Sequence, residues 1–475
     1  MLSPGIFRSL AISVAIGCCI SLSSAQSLRL IDISLSAGIQ TDARGTGISA
    51  FDFDRDGWDD ITIALKDRAP ALFRNNQDGT FTDVAAQYGI TGDSSLVIPI
   101  WADINNDGLP DLFLGHRLEG KNTLWLNQGG GSFTDVTDAF GVESSISLGS
   151  AAFGDVDGDG FIDLFLAVRG GLDVLYQNVD GTHFQDVSEL AGIQGGDNVP
   201  HNLDSWQSVW TDYDRDGDVD LFAVRDFNSF TRLHVNDGTF PMLDVAADAN
   251  IAFNGFGFSM GMAWGDINGD GWQDAYITRI QLGRLYLNDG RGVFSDVATE
   301  RGAGRNGVSW GVIFSDFESD GDDDLFIVSD RSWQRTASIL YTNEDGFFTE
   351  TSQSTGIPFD FFAQGLASGD FNNDGLMDFV VSSINGDHRV LINDTIDAGN
   401  WVQVSLKGTL QNSLAIGSRV EIDAGGRTFV RSVSGGDSFC SQSSGVLHFG
   451  VGDATMIDEL RVYWGVLDRP SSKTV

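Results

Sequence analysis

Asp155-Val156-Asp157-Gly158-Asp159-Gly160-Phe161-Ile162-Asp163 is the stretch around which this chain is organised. Acidic residues at its first, third, fifth and ninth positions set four carboxylates around one point. Gly at the sixth position permits the positive φ of a sharp turn. An all-oxygen cage of this kind suits a hard cation with about six to eight ligands, which outside the cell means calcium. The seventh position is expected to add a backbone carbonyl. The ninth-position Asp must close the cage, because a strand begins directly after it. The phrase recurs with starts at Asp52, Asp103, Asp155, Asp212, Asp266, Asp316 and Asp370, at intervals of 50 to 57 residues. Even spacing over seven copies argues against ordinary Asp-Gly turns.

The expected ligands follow copy by copy. They are Asp52, Asp54, Asp56 and Asp60; Asp103, Asn105, Asp107 and Asp111; Asp155, Asp157, Asp159 and Asp163; and Asp212, Asp214, Asp216 and Asp220. The last three sets are Asp266, Asn268, Asp270 and Asp274; Asp316, Glu318, Asp320 and Asp324; and Asp370, Asn372, Asp374 and Asp378. Asn at the third position lowers the site charge by one. Glu318 is one methylene longer than Asp, so its loop is expected to be the most distorted. Up to seven Ca²⁺ are expected, in a structural role, because clustered carboxylates repel one another without a cation.

Around each loop the layout repeats. In the fifth copy an apolar run, Met260-Gly261-Met262-Ala263-Trp264-Gly265, leads into the loop. Ala275-Tyr276-Ile277-Thr278, Arg284-Leu285-Tyr286-Leu287-Asn288 and Val293-Phe294-Ser295-Asp296-Val297 follow, separated by turn residues. Four short β-type runs in about fifty residues describe one propeller blade, and there is no helical periodicity. The seventh copy lacks a fourth strand after Arg389-Val390-Leu391-Ile392-Asn393. Leu30-Ile31-Asp32-Ile33, followed by Ala37-Gly38-Ile39, repeats the fourth-strand phrase near the other end of the chain. The expected fold is therefore all-β: a seven-bladed propeller over residues 26–397, closed by the N-terminal strand, which removes an exposed edge. From Trp401 five further strand-like runs and the turn Ala424-Gly425-Gly426-Arg427 predict a separate small β-sandwich or barrel over residues 400–467.

The loops with their strand pattern resemble FG-GAP/VCBS repeats, known from integrin alpha-subunit propellers and bacterial exported proteins. The C-terminal unit resembles the ASPIC/UnbV domain at Leu406-Lys407-Gly408, Asn412, Ile416-Gly417, Arg419-Val420, Gly435-Gly436, Ser441-Gln442 and Leu447-His448-Phe449-Gly450. The combination is similar to the cartilage acidic protein family. The resemblance implies calcium binding and extracellular interaction, and no agreed catalytic activity.

Composition points the same way. The net charge of −39 excludes binding to nucleic acid or an anionic membrane through the overall field. Arg8, the apolar run Leu10–Leu22 and Ser23-Ser24-Ala25 predict a signal peptide over residues 1–25 and secretion; a lipid anchor at Cys18 is the alternative. Cleavage at Ala25 would leave Cys440 as the one remaining cysteine, with no intrachain disulfide. No later run is long and apolar enough to span a membrane.

Two serine motifs deserve a chemical reading. Gly257-Phe258-Ser259-Met260-Gly261 matches a nucleophile elbow, but Gly307-Val308-Ser309-Trp310-Gly311 matches it too, seven residues before a loop in both cases. That makes the string a repeat feature with no helix behind it. No catalytic residue is assigned. Trp101, Trp210 and Trp264, each two residues before a loop, are expected between blades.

On the far side from the loops, a basic residue recurs after the second strand: Arg117, Arg169, Arg225, Arg279 and Arg331 are the candidate ligand contacts. They predict either a ring that captures an anion or a set of internal ion pairs. The expected role is a monomeric extracellular binding or adhesion module whose partner is a protein or an acidic polysaccharide. The competing expectation is a carbohydrate-active enzyme, polysaccharide lyase-like, on the same scaffold.

Overall fold

The computed structural model describes residues 11–17, 28–91, 95–117, 120–194, 204–226, 230–252, 258–331, 336–409 and 412–465. Cys18, Ser23-Ser24-Ala25 and Gly257 lie outside the described residues. Among the described residues every sheet is antiparallel and each Asp-rich loop joins the first two strands of a four-stranded path. The third repeat shows the pattern: Leu148–Gly154, Asp163–Val168, Val174–Val179 and His183–Asp186 pair in chain order. The first strand is buried along its whole length, and the fourth buries little beyond Phe184. First strands of successive sheets pack on one another, and that of the Asp370 sheet packs back on Gly45–Phe51. The result is a β-propeller.

The Asp370 sheet takes its outer strand from the other end of the chain. Leu30–Asp32 pairs with Arg389–Asn393 from Leu30 opposite Asn393 to Asp32 opposite Leu391. Asp32 accepts the backbone N–H of Ser34 at 3.0 Å, as Asp135 does for Thr137 and Asp296 for Ala298 in other outer strands. Leu28, Leu30, Ala37 and Ile39 are buried beneath it.

Adjacent sheets are stapled by an Asn at or beside the end of every third strand. Asn178 Nδ2 donates to Ile162 O within its own loop at 3.1 Å and to Ile104 O of the preceding loop at 2.8 Å. Asn75 reaches Phe371 O, Asn127 reaches Phe53 O, Asn236 reaches Val156 O, Asn288 reaches Tyr213 O, Asn343 reaches Ile267 O and Asn393 reaches Phe317 O. Each bond thus ties one repeat to the second loop position of its neighbour. Asn178→Ala would leave two buried carbonyls without a partner. It is expected to cost about 2–4 kcal/mol, read as a lower urea midpoint with the sheet content intact.

The tryptophans pack between blades. Trp101 is fully buried, stacks on Phe53 at 5.3 Å and donates to Ser49 Oγ at 3.1 Å. Trp210 meets Phe165, and Trp264 meets Phe222, both edge-on.

The C-terminal unit is two three-stranded sheets. One joins Arg427–Ser432, Arg419–Ala424 and Ile457–Tyr463; Gly425 and Gly426, both at positive φ, make its tight hairpin turn. The other joins Leu447–Gly452, Asn400–Lys407 and Ala11–Gly17. Ala11–Gly17 belongs to the stretch expected to lie outside the fold, yet here it forms the edge strand of that sheet.

The unit sits over the Asp-rich loops and sends Ser434–Ser444 down the propeller axis. Inner strands present backbone groups to that axis, and buried N–H and C=O groups must be paired. Gln442 satisfies several: its side chain accepts from Trp101 N at 2.7 Å and donates to Trp101 O, while its backbone bonds Ile48 O and Ala50 N. Gly435 accepts from Phe153 N at 3.0 Å, and a Cβ there would meet Phe153 O at 2.2 Å, so only glycine fits. Ser438 Oγ accepts from Val312 N, Ser443 Oγ from Ser368 N, and the buried Cys440 Sγ lies 2.9 Å from Gly149 O.

Candidate metal centres

Each centre begins with its first carboxylate, which the loop backbone orients. Asp103 Oδ1 accepts from Asp107 N at 3.1 Å and Oδ2 from Gly108 N at 2.8 Å. Asp52, Asp266, Asp316 and Asp370 make the same pair of bonds to the fifth and sixth positions. Gly57, Gly108, Gly160, Gly217, Gly271, Gly321 and Gly375 all hold the positive φ that the sixth position requires.

The ninth-position Asp has a second duty. In every loop its two oxygens accept backbone N–H groups from the second loop position and from the stapling Asn. The residue that closes the cage also anchors the third strand.

Three sets of carboxylates bring oxygens within 4.8 Å of one another and can hold a metal ion: Asp52, Asp54 and Asp60; Asp155, Asp157 and Asp163; Asp212, Asp214 and Asp216. In the loops at Asp103, Asp266 and Asp370 the third-position Asn donates to the fifth-position Asp at 2.8 to 2.9 Å. Glu318 is buried, and burial together with the neighbouring Glu318 carboxylate raises Asp324 well above the ordinary carboxylate range. An all-oxygen donor set crowded this way fits a hard divalent cation.

The electrostatics record the crowding. Burial pushes Asp52 and Asp212 up to about 6, and Asp155 and Asp266 up to about 7. Burial likewise raises Asp60 to about 9.

The C-terminal unit touches these loops directly. Ser413 Oγ bonds Asp103, Gln403 Nε2 donates to Asp370 Oδ2 at 2.8 Å, and Arg419 Nη1 donates to Asp212 Oδ2 at 2.8 Å. Arg431 makes two bonds to the buried Asp323, and Ser444 donates to Asp59 at 2.9 Å. A cavity of about 150 Å³ remains between the unit and the axis, bordered by Trp210, Asp316, Asp323, Arg431, Asp437 and His448.

Two expectations stand for the far-side arginines, an anion-capturing ring and a set of internal ion pairs. Arg117, Arg225 and Arg279 are buried, so they do not form a solvent-facing ring. Arg225 pairs with Asp173 at 2.5 Å, both side chains 1% exposed. Arg117 donates to Leu148 O and Gly149 O and lies over Trp206, and Arg279 donates to Leu282 O. Arg169 stacks 4.1 Å above Trp206, and Arg331 pairs with Asp360 at 3.4 Å; each is about a quarter exposed. Burying an Arg requires a partner for its charge, and the fold supplies one within or between blades.

The sequence reading missed the stapling Asn and the axial role of Ser441-Gln442. The Asn was legible as a letter repeated in all seven copies near the end of the third strand. Its target, in the preceding repeat, was not.

An FG-GAP-like repeat model matches residues 52–114, 103–166, 155–223, 212–277 and 316–381, and an ASPIC and UnbV model matches residues 408–473. Integrin alpha-7 of Rattus norvegicus is 25% identical over 181 residues, covering 34% of this chain and 14% of that protein. Cartilage acidic protein 1 of Homo sapiens is 28% identical over 203 residues, covering 41% of this chain and 30% of that protein. The match thus spans less than a third of either curated relative. Among solved structures, an Agrocybe aegerita lectin that recognises non-reducing terminal N-acetylglucosamine aligns at a TM-score of 0.40 and 16% identity, over 77% of this chain and 93% of that one.

Proposed function

The chain belongs to the FG-GAP-like repeat family and carries an ASPIC and UnbV unit, and from that premise we infer that it acts outside the cytoplasm as a calcium-loaded binding or adhesion module. The observation that carries this reading is the loop set: seven copies of one oxygen cage, each with its first carboxylate aimed by the loop's own backbone. Calcium at extracellular concentrations would fill such cages, and a cytoplasmic protein would see far too little of it. The apolar run and small-residue site of residues 10–25 support export, and no helix among the described residues is long and apolar enough to cross a membrane.

The cations in this reading are structural. The loop face is covered by the C-terminal unit, so the ligand is assigned to the opposite face, where the loops between second and third strands meet the inter-blade linkers. A protein partner is favoured over an acidic polysaccharide, because most of the arginines on that side are already committed to internal partners. The similarity to integrin alpha-7 and cartilage acidic protein 1 points in the same direction.

The test is an array of extracellular-matrix proteins and acidic polysaccharides, probed with the purified chain in millimolar calcium and again in chelator. A protein ligand held in calcium and lost in chelator is expected. Binding that ignores chelator would remove calcium from the account, and preferential binding to sulfated or uronate polymers would reverse the choice of partner.

A further inference from the structure

We propose that the outer edge of Trp401–Lys407 is a strand-acceptor site for an extended, basic segment of a partner protein; the proposal rests on the export reading above. Asn400–Lys407 pairs on one side with Leu447–Gly452. On its other side it accepts Ala11–Gly17 in continuous antiparallel register, from Ala11 opposite Lys407 to Gly17 opposite Trp401. Those seven residues lie inside the stretch that export would remove. Their removal uncovers a row of backbone donors and acceptors on a strand whose inward residues, Val402, Val404 and Leu406, are buried while Ala11–Gly17 is in place. Such an edge pairs readily with another extended chain.

The neighbourhood says what kind of chain. Ala15 stands opposite Gln403, and Gln403 bonds Asp370, so this side of the sheet faces the metal loops. A groove of about 310 Å³ runs there, bordered by Ala15, Asp52, Asp59, Asp370, Met377 and Gln403. The methyl group of Ala15 leaves it unfilled. A Lys or Arg at that position would lay its aliphatic stem along Met377 and deliver its charge among the carboxylates. Calcium in the two flanking loops leaves the groove negative, since its two charges meet four acidic ligands at Asp52–Asp60 and three at Asp370–Asp378, with Asp59 beside them. A second copy of this chain is a poor occupant, because its own edge is flanked by the same acidic loops.

The chain is to be recovered from the exported fraction in calcium, with its N-terminus read by mass spectrometry. Two labelled peptides serve as probes: residues 9–19, and the same peptide with Ala15→Arg. The Ala15→Arg peptide is expected to bind at least tenfold more tightly than its parent by fluorescence anisotropy. Amide hydrogen exchange at residues 401–407 should slow on addition, and Ser405→Arg in the chain should erase the preference. Equal binding of the two peptides, or no protection at 401–407, overturns the proposal. Protection that rises with protein concentration alone assigns the edge to a second copy and also overturns it. An exported chain that retains residues 11–17, with 401–407 protected before any peptide is added, shows a permanently filled edge. That last result leaves the calcium reading untouched, whereas failure to find the chain outside the cytoplasm would defeat the export reading instead.

Discussion

Removing calcium from the chain with EDTA lowers its melting temperature by well over ten degrees: this is the largest single effect expected. If each loop binds at about 10⁻⁴ M in about 1 mM calcium, linkage contributes roughly 1.4 kcal/mol per site. Seven sites then supply about 10 kcal/mol, comparable with the whole stability of a typical domain. The structure explains why the loss is not cushioned. Asp103, Asp212 and Asp370 also hold Ser413, Arg419 and Gln403 of the C-terminal unit. Disturbing the loops therefore loosens the unit that fills the axis. Calorimetry with and without EDTA decides it, and superimposable melting curves would remove the structural role.

The metal-free chain should also show an inverted pH response. Asp52, Asp155, Asp212 and Asp266 have folded values raised by burial to between about 6 and about 7, above the ordinary 3.8. The folded state then binds more protons than the unfolded one, so stability falls as pH rises through that window. Without calcium, lowering the pH from about 8 to about 6.5 should raise the melting temperature. With calcium, the same change should lower it, because protons compete with the cation. Below the ordinary 6.5 of histidine the metal-free gain is opposed. Burial holds His234 and His388 near 4 and His448 near 3, so the unfolded chain takes up protons that the folded chain refuses. A metal-free chain that loses stability steadily from pH 8 downward would contradict the crowding argument.

Deleting residues 28–39 should abolish the soluble monomer. Those residues supply the outer strand of the Asp370 sheet and bury Leu28, Leu30, Ala37 and Ile39, worth about 5 kcal/mol or more in apolar burial. They also carry Asp32, which pairs with Arg389 at 2.7 Å. Without them Arg389–Asn393 becomes an open edge and Val390 and Leu391 lose their cover. Aggregation in size-exclusion chromatography is expected, with recovery when a peptide of residues 26–42 is supplied in trans. A deletion variant that stays monomeric and equally stable would show that the ring does not depend on this strand.

These outcomes divide along what the primary structure makes visible. The cages at Asp52 through Asp378, the turn glycines, the strand pattern and the hairpin at Gly425-Gly426 are legible because their chemistry is contained within about ten residues of chain. A turn at positive φ is a local demand, and each repeat states it again. The closing strand was legible for a related reason: its phrase repeats Asp135 and Asp296 closely enough to show which unit it completes.

Other features depend on partners far along the chain and became visible only in the folded molecule. Asn178 looks like a turn residue until Ile104, 74 positions earlier, stands beside it. Arg225 looks like a ligand contact until Asp173 is found buried against it, because repetition along a chain carries no information about solvent access. Gly435 and Gln442 are visible as a motif, but their work is done on Phe153 and Trp101, inner-strand residues whose backbone groups face the axis only once the ring has closed. The repeat, its strands and its oxygen cages are readable from the residue order, since neighbouring residues suffice to define them. Folding determined which charges are buried and where the C-terminal unit sits, since those depend on surfaces that exist only after distant segments have packed.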